Sequence, residues 1–383
     1  MENGAGSGEA LYLYGMKETC IDHLEKRIGI MKKRMLTMTA AFAACFLLCT
    51  SCSHSLHYEQ AHPFTYDDFA SRQTLQGKRM ELDSLIMRPL DIQVADSLLW
   101  LIEYGRERSV YVVDLATGST RCGRLQSGQG PDDVVQPVFM QSAADSLYLF
   151  DAATSRVLRY GRADFLSQLS PSPSASVRMS PSVFVRAEQW GGRIYGCTHR
   201  PGSQLAVYDA SDGTLQDRLI GYPECDQEYS DAEKVEAFYM NFTAGGNGKL
   251  GLCYSMTDLL EFYRTDGTLL RRLHGPEGFL AHFKEHRNGE VVTSSPDKEL
   301  SRDAYFCPRA VGDRLWVLFD GDFVNAPDND FSCSWLMTFT WEGVPDALYR
   351  LDDPLISFAV DAEHRKVYGI SVRPEFHVVE YDY

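Results

Sequence analysis

Ala281-His-Phe-Lys-Glu-His286 sets two imidazoles four residues apart, the spacing that would bring two zinc ligands onto one face of a helix. The glutamate does not follow the first histidine, as a zinc protease requires, so the segment reads as a surface turn. Asp320-Gly-Asp322-Phe-Val-Asn325-Ala-Pro-Asp328-Asn-Asp330 is rich in the hard oxygen ligands that calcium takes. It lacks the glycine at the sixth position and the glutamate at the twelfth of a calcium-binding loop, and reads as a solvated loop between structural units. Six cysteines follow Cys52, at Cys122, Cys197, Cys225, Cys253, Cys307 and Cys333, an even number that permits disulfides but whose spacing assigns no pairing. There is no Gly-x-Ser-x-Gly elbow, phosphate loop or dinucleotide fingerprint. No metal or cofactor site is expected, and any chemistry must come from side chains that the fold gathers.

The elements that would gather them recur. A turn followed by an apolar strand with an aromatic appears at Asp96-Ser-Leu-Leu-Trp100-Leu, Asp145-Ser-Leu-Tyr148-Leu-Phe, Gly192-Arg-Ile-Tyr195-Gly-Cys, Asp313-Arg-Leu-Trp316-Val-Leu and Arg365-Lys-Val-Tyr368-Gly-Ile, with a weaker copy at Gly248-Lys-Leu-Gly251-Leu-Cys. Each is followed by an alternating strand that tends to end in an Asp or Gly turn, as in Val110-Tyr-Val-Val-Asp114 and Leu205-Ala-Val-Tyr208-Asp209. Six copies of a unit of several short strands predict an all-β fold, a six-bladed β-propeller, because a single small sheet cannot bury both faces until neighbours stack on it. The chain ends inside an alternating strand, Phe376 to Tyr383, while residues 75 to 85 read as a lone strand ahead of the first unit. Mixing these N- and C-terminal strands in one blade would close the ring and hide its edges. Cys197 and Cys253 fall two residues past the aromatic position of their units, so they read as buried packing residues beyond disulfide reach of each other.

The blade pattern, with the Gly128-Gln-Gly130-Pro131-Asp132-Asp133 turn after the first unit and Gly275-Pro-Glu-Gly278-Phe279 after the fourth, resembles the TolB-like and NHL-like six-bladed propeller lipoproteins of Gram-negative bacteria. The resemblance implies export, a propeller over residues 66–383 and a binding role, and it brings no catalytic residues. Six-bladed lactonases and lyases place their polar groups on the innermost strands. Here those strands should be Leu90 to Val94, Phe139 to Ser142, Phe184 to Glu188, Phe242 to Ala244, Phe306 to Arg309 and Phe358 to Asp361. Their polar members, the candidate ligand-binding residues of the tunnel, are Gln93, Gln141, Arg186, Glu188, Arg309 and Asp361. The set is mixed in charge and contains no histidine.

Residues 31–52, Met-Lys-Lys-Arg followed by an apolar run and Cys52, form a signal peptide whose core is too short to span a bilayer. Small residues, Thr50 and Ser51, lead into a cysteine rather than an Ala-x-Ala site, as in a lipobox, so Cys52 is the expected lipid attachment. Residues 1–30 carry acidic groups ahead of the basic start and are expected to be an untranslated extension, with translation beginning at Met31 or Met35. Residues 53–65 read as a tether. Six basic and five acidic residues precede Ser53, so of 37 and 53 the mature chain keeps 31 and 48, a net charge of −17. That charge argues against nucleic acid and anionic membrane surfaces as partners.

The expectation is a monomeric, lipid-anchored extracytoplasmic module that binds a protein, peptide or glycan. The alternative is a hydrolase or lyase acting on a lactone or sugar acid in the tunnel. The residues after Cys52 lack an acidic run, which places the expected protein at the outer membrane facing the periplasm.

Overall fold

The computed structural model describes residues 58–383, apart from 84–86, 105–108, 122–124, 169, 184, 201 and 328. The signal peptide, Cys52, Cys122 and Asp328 therefore lie outside the described residues. Three short strands come first: β1 (Ala61–Pro63), β2 (Ser71–Leu75) and β3 (Lys78–Arg79). Blade one is β4 (Pro89–Ala95), β5 (Leu98–Glu103), β6 (Val110–Asp114) and β7 (Thr120–Arg121). Blade two is β8 (Pro137–Ala143), β9 (Ser146–Asp151), β10 (Arg156–Gly161) and β11 (Ala175–Arg178), with helix α1 (Arg162–Ser167) between the last two. Blade three is β12 (Ala187–Trp190), β13 (Arg193–Arg200), β14 (Ser203–Asp209) and β15 (Leu215–Leu219). Helix α2 (Asp231–Ala237) leads to blade four, β16 (Met240–Gly245), β17 (Lys249–Tyr254), β18 (Leu259–Arg264) and β19 (Leu269–His274). A separate hairpin, β20 (Phe283–Asn288) and β21 (Val291–Pro296), precedes blade five, β22 (Tyr305–Val311), β23 (Arg314–Phe319), β24 (Cys333–Thr340) and β25 (Pro345–Leu355). Blade six is β26 (Ser357–Asp361), β27 (Lys366–Ser371) and β28 (His377–Asp382), completed by β3.

The protein is a six-bladed β-propeller, each blade an antiparallel meander; five of the six innermost strands contain the stretches expected from the sequence, and the third, Ala187–Trp190, overlaps its expected stretch only at Ala187 and Glu188. Local chemistry explains the hairpins. The first and second strands of blade one are joined by Asp96-Ser97, both at positive φ, and those of blade three by Gly191-Gly192, again both positive. Such turns match the twist of paired strands. In blade one the third and fourth strands are joined by an Asp turn, in which the Asp114 carboxylate accepts the Ala116 and Thr117 N–H groups at 2.9 and 3.1 Å and Gly118 turns back at φ +68°.

The apolar core is divided into six interblade clusters, one for each blade junction, including one that joins blade six to blade one. The second-strand aromatics supply them: Trp100, Tyr195, Trp316 and Tyr368 are buried, whereas Tyr148 is only half-buried under Arg159. Blade four has Gly251 at this position, and the space is taken by its neighbour, since a Cβ there would meet Leu315 at 3.0 Å and the Trp341 ring at 3.4 Å.

Closure differs in detail from the expected lone strand at 75–85. The strand is split: β3 pairs with β28 in blade six, while β2 adds in parallel to the outer edge of β25 in blade five. Part of the expected tether, 53–65, is also structured. Tyr58 is buried and bonded to Thr257 at 2.9 Å, and β1 pairs in parallel with β19, so the N-terminal segment covers the outer edges of blades four and five. No helix among the described residues is long and apolar enough to cross a membrane.

Candidate functional site

The innermost strands carry short-range irregularities that decide what faces the axis. Pairing with the second strand shifts between Pro89 and Asp91, between Pro137 and Phe139, and between Phe306 and Arg309. A bulge re-aims the side chain that follows it. The three residues just past these shifts, Asp91, Phe139 and Arg309, meet at the axis. Arg309 of blade five donates through Nη2 to Asp91 of blade one and through Nε to the Phe358 carbonyl of blade six at 3.1 Å. Ser357 adds its hydroxyl to the same Asp91 oxygen at 3.1 Å.

A second pair lies alongside. Arg186 donates through Nε and Nη2 to Glu188 Oε1 at 2.9 and 2.5 Å, and reaches across the ring to the Pro308 carbonyl at 3.2 Å. The other Glu188 oxygen accepts the Ala244 N–H at 2.9 Å and the Thr243 hydroxyl at 3.3 Å. The Phe139 ring is shared by both cations, with the Arg186 guanidinium 3.8 Å and the Arg309 guanidinium 5.5 Å from its centroid. Burial opposes the Arg309 charge, but Asp91, with smaller help from Cys307 and Glu188, outweighs it and holds the guanidinium above its ordinary pKa.

This layer forms the floor of an axial cavity of about 320 Å³ walled by all six blades. Apart from Arg186 and Glu188, most of its lining comes from the middle and later parts of the innermost strands, towards the turns between first and second strands. Five of the six residues expected in the tunnel line it: Gln93, Gln141, Arg186, Glu188 and Arg309. Asp361 does not. Its carboxylate caps the turn out of β26, accepting the Glu363 and His364 N–H groups at 3.1 and 3.0 Å and pairing with His364 Nδ1 at 2.8 Å. Asp91 joins this layer without being among the expected residues; it lies two positions from Gln93, and alternation alone puts both on one face. Arg309 Nη1 is buried and has no hydrogen-bond partner, in a residue only 6% exposed.

The other chemical candidates fall elsewhere. His282 and His286 do not share a helix face or a surface turn, because Phe283–Asn288 is a strand, where His286 Nε2 meets Ser295 Oγ at 2.8 Å. The acidic segment 320–330 joins the second and third strands within blade five instead of joining two blades. Asp303 accepts the Asn329 amide there at 2.6 Å, and burial, with Asp322 and Asp303 nearby, pushes Asp320 up to about 7. Among the described residues no three His, Cys, Asp or Glu side chains converge as a metal site. Cys197 and Cys253 are buried free thiols, both pushed up by burial. The Gly275–Phe279 turn is built around buried Asp258, whose carboxylate accepts the Glu277 and Phe279 N–H groups at 2.9 and 3.0 Å.

No protein-family model matches the chain, and no curated protein matches it. Among solved structures it is similar to a member of the DUF4221 family from Bacteroides vulgatus, at 8% identity over 81% of this chain and 96% of that one, with a TM-score of 0.52. A protein of Bacteroides fragilis described as exported is 12% identical over 84% of this chain and 98% of that one, at 0.47. BamB from Moraxella catarrhalis is 10% identical over 77% and 83%, at 0.36. At these identities the first likeness shows a shared fold alone.

Proposed function

We propose that the chain is a monomeric, lipid-anchored extracytoplasmic binding module, acylated at Cys52, facing the periplasm from the outer membrane, and taking a protein, peptide or glycan ligand at its axial cavity. The lipobox-like run into Cys52 supports the anchor, in the manner of the TolB-like and NHL-like lipoproteins. The observation that carries the binding reading is the paired state of the axial charges. Glu188 is held by Arg186 and two further donors, and Asp91 by Arg309, so among the described residues the cavity presents hydrogen-bonding groups and no free carboxylate or imidazole to act as a base. Turnover of a lactone or sugar acid would require one of these pairs to open.

Metabolic labelling with a clickable fatty acid tests the anchor: the wild-type chain takes the label and Cys52→Ala does not. Labelling of the Cys52→Ala chain would overturn it. Protease shaving of intact cells tests the face, and loss of the protein from unbroken cells would place it outside. Light scattering of the purified protein reads the oligomeric state directly.

A further inference from the structure

The two ends of the blades differ in what they expose. In each meander the turns from first to second and from third to fourth strand lie at one end, the turn end. The links from second to third strand and from blade to blade lie at the other, and helix α2, the hairpin β20–β21 and the segment 320–332 all belong to this link end. Of the ten large apolar side chains left exposed among the described residues, only Val344 sits at the turn end. The other nine lie in links or at the strand ends beside them, including Met87, Tyr104 and Val135 around blade one and Leu300, Phe323 and Phe331 around blade five. Single exposed apolar residues need no explanation, but a set confined to one face marks a surface that meets something apolar.

What it meets follows from where the chain enters the ring. Tyr58 is buried at the link end, where its hydroxyl donates to Thr257, in a second-to-third link, at 2.9 Å and its backbone bridges to Cys225, in the link from blade three to blade four. Contacts lead from there to the apolar set. Thr257 donates to the Phe279 carbonyl at 2.9 Å, and the Arg302 guanidinium lies 4.7 Å from the centroid of the Phe279 ring and 5.1 Å from that of Phe323. Cys52 precedes Tyr58 by six residues, a reach of roughly 20 Å at most, which is about the rise of one six-residue strand. A lipid on Cys52 would spend all of that reach in climbing one strand to the turn end, so the bilayer that holds it adjoins the link end. The mature chain is acidic, which matches a neutral lipid surface and not an anionic one.

We infer that the propeller lies with its link end against a neutral bilayer surface, Phe323 and Phe331 entering the headgroup layer, and with its turn end, towards which most of the axial lining lies, facing the periplasm. A lipid chain and a set of exposed apolar groups are two separate membrane signals, and together they hold a protein more firmly than either alone. A second copy fits this face less well, because two link ends cannot face each other while both are tied within roughly 20 Å of one bilayer. The inference rests on the anchor proposed above and adds its direction: ligand reaches the cavity from the aqueous side.

The test is photolabelling of the acylated full chain, in nanodiscs of phosphatidylethanolamine and phosphatidylcholine, by a phospholipid carrying a carbene precursor. Peptides covering 297–303 and 320–332 are expected to take about ten times more label than those covering 210–213 and 341–344. Phe323→Ser combined with Phe331→Ser should cut the labelling of 320–332 about threefold or more, with the melting curve unaltered because these rings are 44% and 61% exposed. Equal labelling of the two ends, heavier labelling of the turn end, or a double variant labelled like wild type would overturn the orientation and leave the anchor in place. Little label at either end, with a dimer in light scattering, would overturn it in favour of a second copy on this face. A Cys52 peptide that carries no lipid in mass spectrometry would overturn the anchor and the orientation together.

Discussion

Two buried ionic networks sit in this ring, and they are built from the same residue types. In blade four, Glu261 pairs with Arg272 at 2.5 Å, takes the Tyr254 and Tyr263 hydroxyls at 2.6 and 3.1 Å, and Arg272 also reaches the Glu59 carbonyl of the N-terminal segment. None of its atoms is among the buried atoms left without a partner, and the pocket beside neighbouring Gln204 holds only about 10 Å³, room for one water at most. At the axis, Arg309 and Asp91 make a similarly buried pair, but Arg309 also lines an axial cavity of about 320 Å³. A buried ion pair by itself says little about function, since its desolvation cost roughly offsets its attraction. Open volume beside the pair is what separates a candidate ligand site from a strut.

The sharpest way to break that contrast is to cut the strut. Glu261→Ala strands the Arg272 charge inside blade four and should cost about 3–5 kcal/mol, read as a fall in the thermal midpoint. A midpoint equal to wild type would mean that the blade-four network is not structural.

Trp316→Ala should cost a comparable ~3–5 kcal/mol, because the ring stacks on Tyr349 at 5.8 Å and fills the junction of blades five and six. Since the ring is closed, the loss should appear as one cooperative transition, and separate melting of one blade by calorimetry would contradict it. Tyr148→Ala, at a half-buried copy of the same position, should cost visibly less.

A smaller effect comes with pH. The Asp320 carboxyl, at about 7 in the fold against 3.8 ordinarily, keeps a proton that the unfolded chain has shed over that interval. Its contribution is therefore fully present below about 3.8 and is lost as pH rises through 7, so stability should decline across that window. Asp320→Asn should flatten the decline, and an unchanged slope in denaturant titrations at several pH values would refute the assignment.

Gln93→Ala should move stability by no more than about 0.5 kcal/mol while weakening ligand, which is the mirror image of Glu261→Ala. A large loss of stability would turn the cavity wall into a strut. His286→Ala, on the accessory hairpin, should change neither by more than about 0.5 kcal/mol, measured by the same melts.

The repeat was legible because blades are built from local rules. Period-two alternation places most of the second-strand aromatics in the junctions, and Asp, Ser or Gly turns mark several of the hairpins, so the three inner strands of each blade are legible in the sequence, the third blade's innermost strand only in part. Gln93, Gln141 and Glu188 reached the cavity for the same reason, whereas Arg186 precedes its strand and Arg309 follows a register shift. Asp361 did not, because a short polar side chain at the end of a strand binds its own following turn before it can reach the axis.

By itself the sequence determined the class of fold, the number of blades and which strand of each faces inward, since all of these follow from patterns repeated within about fifty residues of chain. Only the tertiary structure decided the rest. Register shifts before Asp91, Phe139 and Arg309 leave no mark in composition, yet they select the residues that make the cavity floor. Asp91 and Arg309 are 218 residues apart, and Arg186 reaches a carbonyl 122 residues away, so their pairing exists only once the ring has closed. Trp341 standing in for an aromatic absent from blade four, and the N-terminal segment sealing blades four and five, are likewise contacts between units. A periodic sequence specifies what each unit is, whereas the contents of the axis depend on where side chains from six different units come to lie.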